Sequence, residues 1–316
     1  MLAAVFMTRV VYGLELPGPV VETDWLAAHL AQVKLLDVRA DAGSFTRRAV
    51  LVRKRFTGDL IIETPGAHIP GATLVEFQTI RTSREIGERD VRYMIPDATE
   101  FKELMQSWGV NRHDVIVIVH SGMTSSDVTM ATRLYWQLKY FGHEQVAILN
   151  GGMAQWLVEE KIATLDNPAI PAGNWESGKV NAAIYADSGT VENALQNDAV
   201  MLVDTRSLGQ YLGIHKQSYV RGRGHIPGAR LFPGELLVTD RPPLLFVDPE
   251  DIRQMADALN IDPDADIITY CNSGQWASGS WFAFSELLGN RNVRVYDGSM
   301  HQWSLEKHST TKMLME

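Results

Sequence analysis

Among 316 residues there is one cysteine, Cys271, and that scarcity excludes a great deal. A single thiol builds no intrachain disulfide framework, no Cys-rich zinc site and no CxxC redox pair. No apolar run reaches the roughly 18 residues that a bilayer-spanning helix needs. Basic charge is also short. Lys+Arg 29 against Asp+Glu 38 gives a net charge of −9, which argues against a nucleic-acid-binding surface but leaves room for a local anion site. The mildly apolar start, MLAAVFMTRVVYGLELPG, has no basic stretch ahead of its apolar part, is interrupted by Arg9 and lacks a small-x-small cleavage site. It reads as an arm, with a degenerate export signal as the alternative. The expected compartment is accordingly cytoplasmic, with the periplasm as the alternative.

What is present is a repeat. LLDVRA (Leu35 to Ala40) recurs as MLVDTRS (Met201 to Ser207), and AHIPGA (Ala67 to Ala72) as GHIPGA (Gly224 to Ala229). VIVIVHSG (Val115 to Gly122) recurs as DIITYCNSG (Asp266 to Gly274), and YFGHEQVAILNGGMAQW (Tyr140 to Trp156) as LLGNRNVRVYDGSMHQW (Leu287 to Trp303). Four blocks in the same order mark a tandem duplication. The Pro-, Asn- and Gly-rich stretch 166–179 has no amphipathic period and reads as a linker. The halves are then 1–165 and 180–316, the second closing in a polar tail of low expected order. The first half is longer mainly through 41–66, whose RRAVLVRKRF reads as a solvated loop, with a basic anion-binding flap as the alternative.

Within each half, strand alternates with helix. The runs 33–38 and 199–203 read as buried strands, 115–119 and 267–270 as a second pair, and 146–149 and 293–296 as a third. Helices are expected over 130–140 and 278–288, with Trp281, Phe282, Phe284, Leu287 and Leu288 on the buried face of the latter. Gly142 and Gly289 stand where a left-handed C-cap is wanted. Strand–helix–strand repetition predicts an α/β fold: two tandem domains, each a mainly parallel sheet with helices on both faces.

Cys271 ends a buried strand and opens CNSGQWASGSW, a tight polar loop running into a helix. Backbone amides converging there, with the positive end of the helix, favour a thiolate or the terminal sulfur of a persulfide. Gly274 allows the sharp turn and Ser273 offers a hydroxyl. The alternative is an inert buried cysteine. His120 stands at the equivalent place in the first half, so only one half carries a thiol. A Cys-dependent phosphatase would need an arginine where Ala277 stands. A thiol protease would need a histidine base, for which His225 and His301 are the candidates, and nothing in the sequence places either one against the sulfur.

The tandem D-x-R, the HIPGA blocks, the strand-to-cysteine loop and the D-G-G/S-M-x-x-W ending resemble two-domain rhodanese-like sulfurtransferases of the thiosulfate and 3-mercaptopyruvate type, over about 21–303. The resemblance implies a silent first domain and an active second one. Cys271 would take sulfur from a small donor, thiosulfate or 3-mercaptopyruvate, and pass it to a thiol or cyanide acceptor through a persulfide. The amides of Asn272, Ser273, Gly274, Gln275 and Trp276 would cradle that persulfide. No metal or organic cofactor is implied. The loop departs from the R-K-G-V-T or G-S-G-V-T that usually follows the cysteine, and Gln210 replaces the second arginine of D-x-R-x-x-G-R. Arg206 remains a substrate-binding candidate, and Arg221 or Arg223 could supply the missing charge. Asp204 and His225 read as structural support, as do Asp37, Arg39 and His68 in the first half. Trp156 and Trp303 read as core. Trp276 would wall the pocket and favour a larger or less charged donor or acceptor. Gln210 and Trp276 keep open a non-enzymatic alternative, a persulfide carrier or sulfide sensor with little thiosulfate turnover.

Overall fold

The computed structural model describes residues 14–197 and 199–313, so residues 1–13 of the N-terminal arm lie outside the described residues. Each half contains one five-stranded, wholly parallel sheet. In the first, the strands in chain order are β1 (Val20–Val21), β2 (Lys34–Arg39), β3 (Thr73–Glu76), β4 (Ile116–His120) and β5 (Val146–Leu149), and they lie in the order β1-β5-β4-β2-β3. In the second, β6 (Tyr185–Ala186), β7 (Val200–Asp204), β8 (Arg230–Leu231), β9 (Asp266–Tyr270) and β10 (Val293–Tyr296) lie in the order β6-β10-β9-β7-β8. The two orders are the same, which is the repeat seen in three dimensions. The central strands are buried Val/Ile-rich runs, as parallel strands covered on both faces must be.

Four features differ from the sequence-based expectation. The segment 41–66 is not a plain loop: Val50–Arg53 and Leu60–Thr64 pair as an antiparallel hairpin. Its β-branched residues alternate well enough to form a ladder although the faces stay largely exposed. The stretch 166–179 is docked rather than free. Gly173 donates to the Gln106 carbonyl, Trp175 to that of Val110, and the Trp175 ring is buried in the core. The tail is also fixed, because Thr311 exchanges two backbone hydrogen bonds with His225, as Thr164 does with His68. A second hairpin, Thr82–Ile86 with Arg89–Met94, was not foreseen.

The two helices that follow the central strands position the site. Helix α1 (Ser125–Tyr140) starts five residues earlier than its apolar period suggests, because Thr124 and Asp127 form a capping box ahead of it. Helix α2 (Gln275–Trp281) runs on into a π-helical turn at Phe282–Leu287, so its apolar face carries one residue more per turn than an α-helix would. Gly142 and Gly289 take positive φ after these helices. The helices pack on each other between the halves, with Gly279 close against the side chains of Thr129 and Leu237. Apolar residues of both halves consequently form one continuous core.

A buried ion pair lies within this contact. Arg133 of α1 donates to Oδ1 of Asp297, and both side chains are 0% exposed. The Ile95 amide donates to Oδ2 of the same carboxylate at 2.7 Å. Removing one partner of a buried pair strands the other's charge. Asp297→Asn is expected to lower unfolding stability by about 3–5 kcal/mol in urea titration, whereas Arg133→Met combined with Asp297→Leu regains most of that loss.

Candidate active site

Strand β9 delivers Cys271 to the C-terminal edge of the second sheet, where its side chain is 2% exposed. Sheet register fixes its counterpart: Asp37 pairs with Val119 and Asp204 with Tyr270, so His120 and Cys271 occupy equivalent positions. The Ser273 amide donates to Sγ at 3.4 Å. The Gly274 amide does not join it, because it donates to Ser299 Oγ at 3.2 Å, and the Cys271 amide donates to that same oxygen at 3.0 Å. Gln275 and Trp276 open α2, where amides lack intrahelical acceptors. Asn272 is tied down through its carbonyl, which accepts from the His301 amide, and through Nδ2, which donates to Gln210 Oε1 at 2.9 Å.

The loop is also clamped to the first half. Gln275 Nε2 donates to Ser126 Oγ and Thr129 Oγ1, and Ser278 shares a hydroxyl contact with Thr132 at 3.1 Å. Gly274 has φ +79, and a Cβ there would stand 2.5 Å from both Arg133 Nη1 and Asp297 Oδ1. Only glycine fits. Trp276 is half-buried and lies on Gly234, where a Cβ would meet the indole at 2.4 Å. Its ring therefore packs on the turn following β8.

Arg206 chelates Asp204 through Nε and Nη2, and Nη2 also donates to the Gly224 carbonyl at 2.8 Å. Arg39 does the same with Asp37 and Ala67. The halves part at the remaining nitrogen. Arg39 Nη1 donates to Ser44 Oγ, whereas Arg206 Nη1 is buried without a partner. His225 Nδ1 donates to the Tyr211 carbonyl and its ring stacks on the Tyr211 ring at 3.7 Å, mirroring His68 on Phe45 at 3.6 Å. Arg223 is held by the Gly213 and Ile214 carbonyls. Arg221 is exposed and lines a cavity of about 620 Å³ with Arg92, Tyr219 and His301.

Three groups around the sulfur escaped the sequence reading. Tyr219 brings its hydroxyl to Ser273 Oγ at 3.3 Å. Arg81, from the first half, lies over the rings of Phe77 and Tyr93 at 4.1 and 4.9 Å. Burial, with the Arg133 charge second, pulls Arg81 down to about 10. Ser299 is the third, and the sequence did carry a signal for it. Its φ is +49, and the matching residue of the first half is Gly152, with φ +56. A serine in left-handed backbone is unfavourable unless its hydroxyl is needed there. The replacement of Gly152 by Ser299 between the copies marks the loop as surely as that of His120 by Cys271.

Two equal parallel sheets, one of them closed by a cysteine loop, define a tandem sulfur-transfer fold of the rhodanese class. The family profile described as Rhodanese-like domain matches residues 22–159 and 188–306, and the chain belongs to this family as a tandem rhodanese sulfurtransferase. It is 30% identical over 297 residues to the sulfur carrier protein TtuD of Thermus thermophilus, covering 91% of this chain and 94% of that one. To the thiosulfate sulfurtransferase of Bos taurus it is 29% identical over 238 residues, covering 75% and 77%. The crystal structure of SseA from Escherichia coli, described among 3-mercaptopyruvate sulfotransferases, superposes with a TM-score of 0.70 at 24% identity, covering 89% of this chain and 98% of that one; it shares the fold. Among the described residues no helix is long and apolar enough to cross a membrane.

Ser299→Ala removes the acceptor of two buried amides, and a loss of about 2–5 kcal/mol in stability is expected from chemical denaturation. Ser299→Gly, which relieves the backbone, should lose less. A second expectation concerns pH. Burial pushes His120 down to about 4 from 6.5, so the folded state refuses a proton that the unfolded chain accepts. Stability should fall as pH drops below about 6.5, by up to about 3 kcal/mol near pH 4. His120→Phe should flatten that slope in urea midpoints measured between pH 4.5 and 7.

Proposed function

We propose that the protein moves sulfane sulfur from a small anionic donor, thiosulfate or 3-mercaptopyruvate, to a thiol or cyanide acceptor through a persulfide on Cys271. The observation that supports this most is the Ser273 amide donating to Sγ in a loop held by both halves, because such fixed dipoles stabilise charge on sulfur with no reorganisation. The Cys271 thiolate attacks the outer sulfur of thiosulfate. The Sγ–S bond forms, the donor S–S bond breaks and sulfite leaves with the electron pair. With 3-mercaptopyruvate the C–S pair leaves as the pyruvate enolate, which takes up a proton. A cyanide or thiolate acceptor then attacks the sulfane sulfur, and the Sγ–S bond breaks to return the Cys271 thiolate. The cycle is ping-pong and draws on no metal or organic cofactor. The first half, with His120 in place of a thiol, serves as scaffold.

A second reading is favoured by Gln210. It stands where the resemblance places a second arginine, and its carbonyl oxygen is already occupied by Asn272. A persulfide carrier would need that anion clamp less than a thiosulfate-consuming enzyme does, and a relative at 30% identity carries the name sulfur carrier protein.

Thiocyanate release from thiosulfate and cyanide, and pyruvate release from 3-mercaptopyruvate, should both vanish in Cys271→Ala, falling by at least about a thousandfold as expected for loss of a nucleophile. The wild-type mass should rise by one sulfur atom on incubation with donor alone. Mass gain without steady turnover would select the carrier reading, and turnover by Cys271→Ala would defeat both.

A further inference from the structure

Arg81 is a cation with no counter-charge. Among the described residues no carboxylate lies within ion-pair distance of it. Its one side-chain hydrogen bond is from Nη2 to the neutral Gln78 Oε1 at 2.5 Å, and its buried Nε has no acceptor at all. The other arginine nearby, Arg133, is a like charge and is itself paired with Asp297. Arg81 is half-buried, and a guanidinium drawn partly out of water with no anion in contact is disfavoured, which points to an anion that arrives from outside. The rings of Phe77 and Tyr93 hold it in place from two sides. Contacts run unbroken from it to the sulfur: Tyr93 meets Tyr219 edge-on at 5.0 Å, Tyr219 reaches Ser273, and Ser273 donates to Sγ. The candidate cations of the second half are committed or exposed: Arg206 chelates Asp204, Arg223 is bound by carbonyls, and Arg221 faces solvent.

We propose that Arg81, carried by the first half, grips the oxyanion head of the sulfur donor while Cys271 of the second half attacks its outer sulfur. This rests on the sulfur-transfer reading above and extends it. The scaffold half then sets donor charge, and the donor class is a small sulfur compound with a sulfonate-like or carboxylate head.

Alkylation of Cys271 by iodoacetate and by iodoacetamide separates the two ideas, because these reagents share their chemistry and differ in one negative charge. Wild type should favour iodoacetate over iodoacetamide by more than a small free thiol does under the same conditions. Arg81→Gln should lower that preference about tenfold or more, the size of losing a hydrogen bond to a charged group. Arg81→Lys, which keeps the charge but not the fork, should retain most of it. With thiosulfate and with 3-mercaptopyruvate, Arg81→Gln should raise KM more than it lowers kcat, and the donor with the larger change identifies the head that fits. An unchanged preference in Arg81→Gln with a cooperative melt overturns the proposal. So does a wild type that shows no preference, and that measurement stands even if the variant fails to fold. Loss of turnover with every donor while the alkylation preference persists would instead overturn the sulfur-transfer reading and leave the anion site standing.

Discussion

The sulfur site hangs from one buried ion pair, Arg133 of the first half with Asp297 of the second. Asp297 also holds the Ile95 amide, so a single carboxylate is shared by an α-helix, an extended segment and the end of β10. Gly274 is pressed against both charged groups. The turn that aims the cysteine loop is thus set by contacts neither half makes alone. Electrostatics at this depth are strong because water is absent, and the geometry is correspondingly unforgiving.

Duplication left two units with the same strand order, and the differences between them carry the chemistry. In the first half, His120 fills the strand end, and a Cβ at Gly152 would stand 2.2 Å from the His120 carbonyl oxygen and 2.8 Å from its Nδ1. In the second, Ser299 stands at the matching place, and its hydroxyl collects the amides of Cys271 and Gly274. Likewise Ser44 completes the Arg39 cluster, while Gln210 turns to Asn272 and leaves a nitrogen of Arg206 open.

Much of this was legible in the chain. Buried strands announce themselves by β-branched runs, and Val146–Leu149 and Val293–Tyr296 fall where the pattern put them. The place of Cys271 followed from the end of such a run. Helix starts were missed because capping by Thr124 and Asp127 is a polar signal outside the apolar period. Arg81 was missed for a deeper reason. Its role depends on a hairpin and an interface that bring it near a residue 190 positions away, and one-dimensional spacing holds no record of that. Trp175 was missed because a Pro- and Gly-rich stretch reads as tether even when one indole anchors it.

The ion pair also sets an order of events. A chain made from its N-terminus commits Arg133 to α1 while Asp297, 164 positions on, does not yet exist. Through most of synthesis the first half carries a cation that its own fold cannot neutralise, so that face must stay hydrated until β10 arrives. In chain order β10 is the last strand of the second sheet to be built. The sulfur site therefore closes only after Asp297 has been made, and a chain cut short of that position would bear the thiol but could not set it.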